Sequence, residues 1–416
     1  MKRNEIIWFI FFQQNIQTPA IHIILGVGII GSFLLAKYWD YTSFVFGTEH
    51  STALLAFMFV NSLVDCTTSL LYIPYLSRFH PKFVFPLFIG EGLSGLIPSI
   101  LSLIQGSGDD YGDQDSLNFS VSTYFIILAA LLAISWIAFG LLSVESLTRE
   151  YRRNSLEPGE CTPIVRRNFD SHPSDGSKSS QADKGVESQS PRLGNTYDSQ
   201  TGVTTHGIEI QIHHRLSGSQ ITYLLALQAF ISCLANSVLS SLQSYTAKPY
   251  GQVAYHLACN LALFASPSAS LLAFLFDFPV KKSQSDASST SETNAEPVPN
   301  GSSMMNTLNK SGRDLRMLCI CVSGVVQTVC AVYLLILAVL HQNIPAADTW
   351  YGPTMMILAW TSFSFFASFC KTLICSVLRT QGAPDSLFRY GIFTQVGSLA
   401  GAIPTFIITN FTDFFK

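Results

Sequence analysis

Three ionisable side chains, Asp65, Glu91 and Lys371, stand in long apolar stretches of this chain. A charge at the centre of a bilayer costs roughly 2.5–3.5 kcal/mol on insertion scales, so such a group faces a bundle interior or a water-filled cavity. Each is therefore either a pathway residue or a member of an internal ion pair that locks helices. Uncharged hydrogen-bonding groups occupy the same kind of stretch: Asn61, Gln228, Asn236, Gln243, Asn260, Gln327 and Gln395, together with His256. Amides both donate and accept, which suits a neutral, heterocyclic or polyhydroxylated solute better than a phosphate, for which Arg is expected. Taken singly, each amide also serves as a bond between helices.

Other chemistries find little support. Gly26-Val27-Gly28-Ile29-Ile30-Gly31 and Gly90-Glu91-Gly92-Leu93-Ser94-Gly95 both match the dinucleotide fingerprint. That pattern has meaning only between a strand and a helix of a soluble βαβ unit. Here both lie inside apolar runs, where small residues let helices approach closely, so packing is the reading. Cys319-Ile320-Cys321 has no matching Cys or His pair, and no metal site is expected. Every Cys except Cys161 falls in an apolar stretch, which implies no disulfide framework. With no nucleophile triad, zinc pattern or phosphate loop, neither an enzyme nor a resident cofactor is expected.

The elements that must position these groups follow from how the charges are placed. Only 12% of the 416 residues are charged, while 48% are hydrophobic, against roughly 25% charged in ordinary soluble domains. A formal net charge of −3 gives no basis for nucleic-acid binding. The apolar segments are Pro19–Ala36, Ser51–Leu76, Phe83–Gln105, Val121–Ser143, Ile221–Gln243, Val253–Phe276, Met317–Leu340, Pro353–Leu378 and Tyr390–Thr409. Of the 24 basic and 27 acidic residues, only Asp65, Glu91 and Lys371 lie within them. Each segment is long enough, at about 1.5 Å per residue, to cross a hydrocarbon core of about 30 Å as a helix. The expected fold is an all-α polytopic membrane protein of nine transmembrane helices, with the lipid bilayer as its surroundings.

Basic residues set the orientation. With a cytosolic N-terminus, Lys2, Arg3, Arg78, Lys82, the basic residues from Arg149 to Arg215, and Lys281, Lys282, Lys310, Arg313, Arg316, Arg379 and Arg389 face inward. Only Lys37, Lys248 and Lys416 face outward. The expected layout is a cytosolic segment 1–18, helices one to four in 19–143, a disordered cytosolic linker 144–220, helices five and six in 221–276, a cytosolic loop 277–316, helices seven to nine in 317–409 and an external C-terminus 410–416. Residues 154–219 and 283–312 are too poor in apolar side chains to build a core. The first of these divides the spans into two tethered bundles. An acidic loop (Asp109, Asp110, Asp113, Asp115) and the acceptor pattern Asn118-Phe119-Ser120 fall on the external side, making Asn118 a glycosylation candidate. The N-terminal run Ile6–Phe12 is too short, and lacks a clear cleavage site, for a signal peptide. Pro74, Pro86, Pro98, Pro267, Pro353 and Pro404 break several spans, as helices flanking a transport site often are.

Three stretches carry a resemblance: YIPYLSRFHPKFVFPLFIGEGLSGLIPSILSLIQGSG from Tyr72 to Gly108, LANSVLSSLQSYTAKPYGQVAYHLACNLALFASPSAS from Leu234 to Ser270, and RYGIFTQVGSLAGAI from Arg389 to Ile403. The chain resembles the eukaryotic riboflavin transporters of solute carrier family 52 over all nine spans. The resemblance implies a multi-pass carrier of the plasma membrane that takes up riboflavin, facilitative or proton-influenced, with two helical bundles like those of the equilibrative nucleoside transporters. Family members have eleven spans. This chain enters the pattern at the third, and nothing in it matches the polar and aromatic stretch of the family's first helix. Where many members carry Cys before the Pro-Tyr-Gly motif this chain has Ala247, and His341 to Trp350 also lacks Cys, as the loss of a disulfide would leave it. Carried over residue by residue, the pattern points to Asn236, Gln243, Tyr245, Tyr250, His256, Asn260 and Gln395 as the substrate site, with Glu91 a further candidate. Aromatic rings would stack on the isoalloxazine and amides would bond its uracil-like edge and ribityl hydroxyls. The alternatives are a carrier of another neutral solute such as a nucleoside, and a receptor that moves no solute. Nine spans and a cytosolic N-terminus disfavour a seven-span receptor.

Overall fold

Apolar runs of this length become helices, and local side chains fix where several of them begin and end. The structure, a computed structural model, describes residues 3–45, 48–76, 79, 81–106, 118–144, 216–277, 301–340, 349–382 and 385–412. Helix α1 (Arg3–Tyr38) leads into a short antiparallel hairpin, β1 (Ser43–Val45) and β2 (Thr48–His50), in which Phe44 pairs with Glu49. Helix α2 (Thr52–Tyr75) follows, and a single 3₁₀ turn, Pro81–Phe83, opens α3 (Val84–Gln105). Gly106 ends α3 in the left-handed conformation, φ 85°, that only glycine adopts without cost. Ser120 caps α4 (Val121–Ser143) by accepting from the Thr123 backbone N–H at 3.2 Å.

After the linker, the Ser217 backbone N–H donates to Gln220 Oε1 at 3.1 Å and starts α5 (Gly218–Ala247). A 3₁₀ turn, Lys248–Tyr250, and Gly251 at φ 97° turn the chain into α6 (Gln252–Asp277). Helices α7 (Gly301–Val339), α8 (Tyr351–Gln381) and α9 (Ser386–Phe411) complete the order. Among the described residues, nine helices are long and apolar enough to cross a membrane, one for each apolar segment of the sequence. Helix α7 begins at Gly301, inside the polar stretch 283–312. The acidic loop, most of the long linker and most of the segment His341–Trp350 lie outside the described residues.

Two sets of helices build the interior. Helix α1 packs on α2 and α4, with Ile21, Leu25, Tyr75 and Phe139 buried between them. In the second set α8 lies against α6 and α7, and α5 against α9. Helix α3 precedes the linker, yet its main partner is α6, and α2 reaches across to α9. Helix α8 is the most buried of the spans, and α2 has no buried residue except in its last turn, Ile73–Tyr75. That ranking matches composition: a helix shielded from lipid on most sides can carry Ser364, Ser368 and Lys371 without exposing them to acyl chains.

The glycine motifs act in packing. A Cβ at Gly92 would stand 2.7 Å from the Pro267 nitrogen, and one at Gly95 would stand 3.1 Å from Leu263 Cδ2, so α3 and α6 approach through that face. Gly28 and Gly31 do the same for α1 against Val64 and Asn61 of α2. Pro74, Pro98, Pro267 and Pro404 lie inside helices, as expected. Pro86 and Pro353 instead occupy the first turns of α3 and α8, where a missing N–H removes no intrahelical bond, so neither kinks its span.

Candidate functional site

Helix α5 does not run straight. Leu234–Val238 is a π turn, and Ser240 Oγ donates to Ala235 O at 2.6 Å five residues back. Such a bulge adds a residue to the turn and redirects the side chains that follow, a common feature of functional sites. Immediately before it, Gly397 and Gly401 of α9 press on the backbone oxygens of Ala229 and Cys233. A side chain at either glycine would hold the helices apart. The bulge carries Asn236, whose Nδ2 donates to Ser398 Oγ at 3.0 Å while its Oδ1 accepts from Lys371 Nζ at 3.4 Å. One amide thereby joins α5, α8 and α9 and fixes which end of itself faces the ammonium.

Beside this junction lies a cavity of about 320 Å³ between α5, α6 and α8, at the lower end of the range of small-molecule sites. Its wall repeats at helical spacing on each element. Helix α5 supplies Asn236, Ser240 and Gln243, and α6 supplies Cys259, Leu263 and Ser266. Helix α8 supplies one continuous stripe, Trp360, Phe363, Ser364, Ala367, Ser368 and Lys371. Trp360 is held by its Nε1–H, which donates to Thr246 Oγ1 at 3.1 Å, and its ring meets Phe363 edge to face at 6.4 Å. The Ser266 and Ser368 hydroxyls bond each other at 2.7 Å and tie α6 to α8. The wall thus offers two aromatic faces, two amides, several hydroxyls and one ammonium.

The structure sorts the sequence candidates. Asn236 and Gln243 line the cavity. Asn260 stands one position from Cys259 but spends its groups on protein: its Oδ1 accepts from Ser99 Oγ of α3 and its Nδ2 donates to His256 O at 2.8 Å. The His256 ring meets Gln252 Nε2 at 3.2 Å. Tyr245, Tyr250 and Gln395 do not line this cavity. Tyr250 sits half-buried in the 3₁₀ turn outside the spans, where burial first and nearby Tyr333 second raise its pKa, so its hydroxyl is a neutral donor. Gln228 bonds Ser232 at 3.2 Å and Thr394 at 3.0 Å, a link between α5 and α9. Gln327 is fully buried, and neither of its amide atoms bonds a group among the described residues. Asn118 is exposed, although its Nδ2 donates to Ile104 O at 2.6 Å.

The three intramembrane charges, separate in the sequence, lie within electrostatic range of one another. Lys371 lies within electrostatic range of both Asp65 on α2 and Glu91 on α3. Contacts around them agree: the Tyr390 hydroxyl donates to Lys371 O at 3.3 Å, the Tyr390 ring meets Phe88 of α3 at 6.5 Å, and Gly391 abuts Ser69 and Leu70 of α2. Sequence reasoning missed Trp360, Phe363, Ser364 and Ser368. The signal for them was present, since they share one helical face with Lys371.

The family model described as "Solute carrier family 52, riboflavin transporter" matches residues 7–285 and 287–416. Among curated proteins, the chain is 31% identical to "Solute carrier family 52, riboflavin transporter, member 2" of Homo sapiens, over 95% of this chain and 79% of that protein. It is 29% identical to member 1 of Homo sapiens, over 96% and 80%, and 26% identical to "Riboflavin transporter 2" of Salmo salar, over 96% and 82%. No solved structure matches.

Proposed function

The chain belongs to the riboflavin transporter family, solute carrier family 52, and on that footing we propose that it takes up riboflavin across the plasma membrane by alternating access through the cavity between α5, α6 and α8. The cavity is the observation that carries the reading. Its aromatic faces, Trp360 and Phe363, suit a flat tricyclic ring. Asn236, Gln243, Ser364 and Ser368 suit a solute whose edge and polyhydroxylated tail carry both donors and acceptors. Tyr245, Tyr250, His256, Asn260 and Gln395 belong to the proposed site as its surroundings on α5, the turn Lys248–Tyr250, α6 and α9, and Asn118 as a glycan acceptor on the external side.

In this reading α3 and α6 rock against each other at the Gly92–Pro267 contact, and α2 against α9 at Gly391. Uptake of radiolabelled riboflavin by cells expressing the chain is the test. Asn236→Ala, at equal surface expression, is expected to lower uptake at least tenfold, because it removes an amide from the wall and releases Lys371 from its partner. Unchanged uptake overturns the placement of the site. Uptake inhibited by excess uridine and not by riboflavin would point to a nucleoside carrier, and no uptake of either to a receptor. Orientation is read separately: an N-terminal epitope is expected to be reached by antibody only after permeabilisation, and Trp350→Cys to react with an impermeant maleimide in intact cells.

A further inference from the structure

The cavity wall holds a lysine, which taken alone would attract anions. Among the described residues, Lys371 is the single charged one that lines the cavity. Asp65 of α2 and Glu91 of α3 lie within electrostatic range of it, and both have accessible surface. Helix contacts bring α3 against α6 beside the cavity: Gly92, next to Glu91, presses on Pro267, and Gly95 on Leu263, itself a wall residue. One turn from Asp65, Ser69 meets Gly391, whose neighbour Tyr390 bonds the Lys371 backbone. The ammonium is also shared with Asn236 Oδ1.

We infer that Asp65 and Glu91 set the charge selectivity of the cavity: by offsetting Lys371 they leave no net positive charge, so uncharged solutes enter and anions, phosphorylated forms of the same solute included, are turned away. The inference deepens the transport reading above and, for the solute itself, rests on it. Two carboxylates outnumber one ammonium, so the cluster totals −1 with both ionised and zero with one protonated, and it turns positive only with both protonated. With at least one carboxylate ionised the cluster does not attract an anion, and the low dielectric between helices magnifies the difference from water. Lys371 remains a hydrogen-bond donor to a carbonyl of a neutral solute. Discrimination of this kind works by repulsion of the wrong ligand as much as by attraction of the right one.

Cys259, on the cavity wall with a free thiol, gives a probe that does not depend on the solute. The full chain in lipid nanodiscs is treated with an anionic sulfonatoethyl or a cationic trimethylammonioethyl methanethiosulfonate. Modification is followed by mass spectrometry of the Cys259 peptide, with rates normalised to a small thiol in solution. The unsubstituted chain is expected to react with the cation at least as fast as with the anion. In Asp65→Asn/Glu91→Gln the anion-to-cation ratio should rise about tenfold or more, which a change of about 1.4 kcal/mol in the energy difference between the two reagents produces. Adding Lys371→Met should return it. Should the double variant not fold, each single substitution is expected to give an intermediate rise. A faster anion in the unsubstituted chain, or a ratio indifferent to the carboxylates, overturns the inference. In parallel, riboflavin 5′-phosphate should compete with riboflavin uptake only in Asp65→Asn/Glu91→Gln. If no riboflavin is taken up at all, the transport reading fails while the thiol rates still decide the charge of the cavity.

Discussion

Asn236 and Trp360 act through the partners that hold them. The Asn236 amide is pinned at both ends, by Ser398 and Lys371, so its remaining acceptor capacity points in a fixed direction. Trp360 is nearly buried, and its ring orientation depends on the Thr246 hydroxyl. Trp360→Phe keeps an aromatic face but loses that donor and leaves Thr246 without it. The expected result is a loss of about 1 kcal/mol of stability and a several-fold weaker riboflavin affinity, read by thermal unfolding and by flavin fluorescence quenching on purified protein. Thr246→Val should reproduce the affinity loss, since the two side chains form one bond. Asn236 was legible in the sequence because a lone amide in an apolar span is conspicuous. Trp360 was not, because a tryptophan in such a span reads as ordinary apolar filling until its neighbours are known.

At the scale of elements, contact between helices depends on where backbones can touch. In lipid no hydrophobic force drives one helix against another, so van der Waals packing at small residues and a few polar bonds do that work. The G-x-G-x-x-G run of α3 separates its glycines by this criterion. A Cβ at Gly90 meets nothing within 4 Å, whereas one at Gly92 runs into Pro267. Gly90→Ala should therefore leave thermal stability unchanged or raise it by up to about 1 kcal/mol. Gly92→Ala should lower it by about 1–3 kcal/mol and reduce surface expression, since the α3–α6 seam must widen. Equal behaviour of the two variants would contradict the packing described. The motif as a string carried no such distinction, because it does not say which face of α3 meets α6. The helices themselves were legible from hydropathy and length. Their ends were less so: α7 extends back to Gly301 through polar residues that local composition assigned to a loop.

For the whole molecule, the long linker separates the sequence without separating the packing. Helix α3 sides with α6, and α2 with α9, so chain on both sides of the linker shares one interior. Two polypeptides, residues 1–180 and 181–416, expressed together are expected to co-purify and to restore riboflavin uptake to a sizeable fraction of the intact chain's. Failure of the halves to associate would mean that the α3–α6 and α2–α9 seams are too weak to hold without a tether.

The sequence by itself determined that this is a multi-pass helical membrane protein, how many spans it offers and which few polar groups are costly enough in lipid to require a purpose. Those properties are local: a span is long and apolar, or it is not, whatever surrounds it. Family membership was legible for the same reason, in ordered runs of residues. Only the tertiary structure decided that Asp65, Glu91 and Lys371 lie within electrostatic range of one another, that the π turn carries Asn236 to Lys371, and that Trp360 to Lys371 is the wall of a cavity. Electrostatic coupling and cavity walls are relations between helices far apart in the chain. They exist only once glycine seams such as Gly92 on Pro267 set how closely those helices approach.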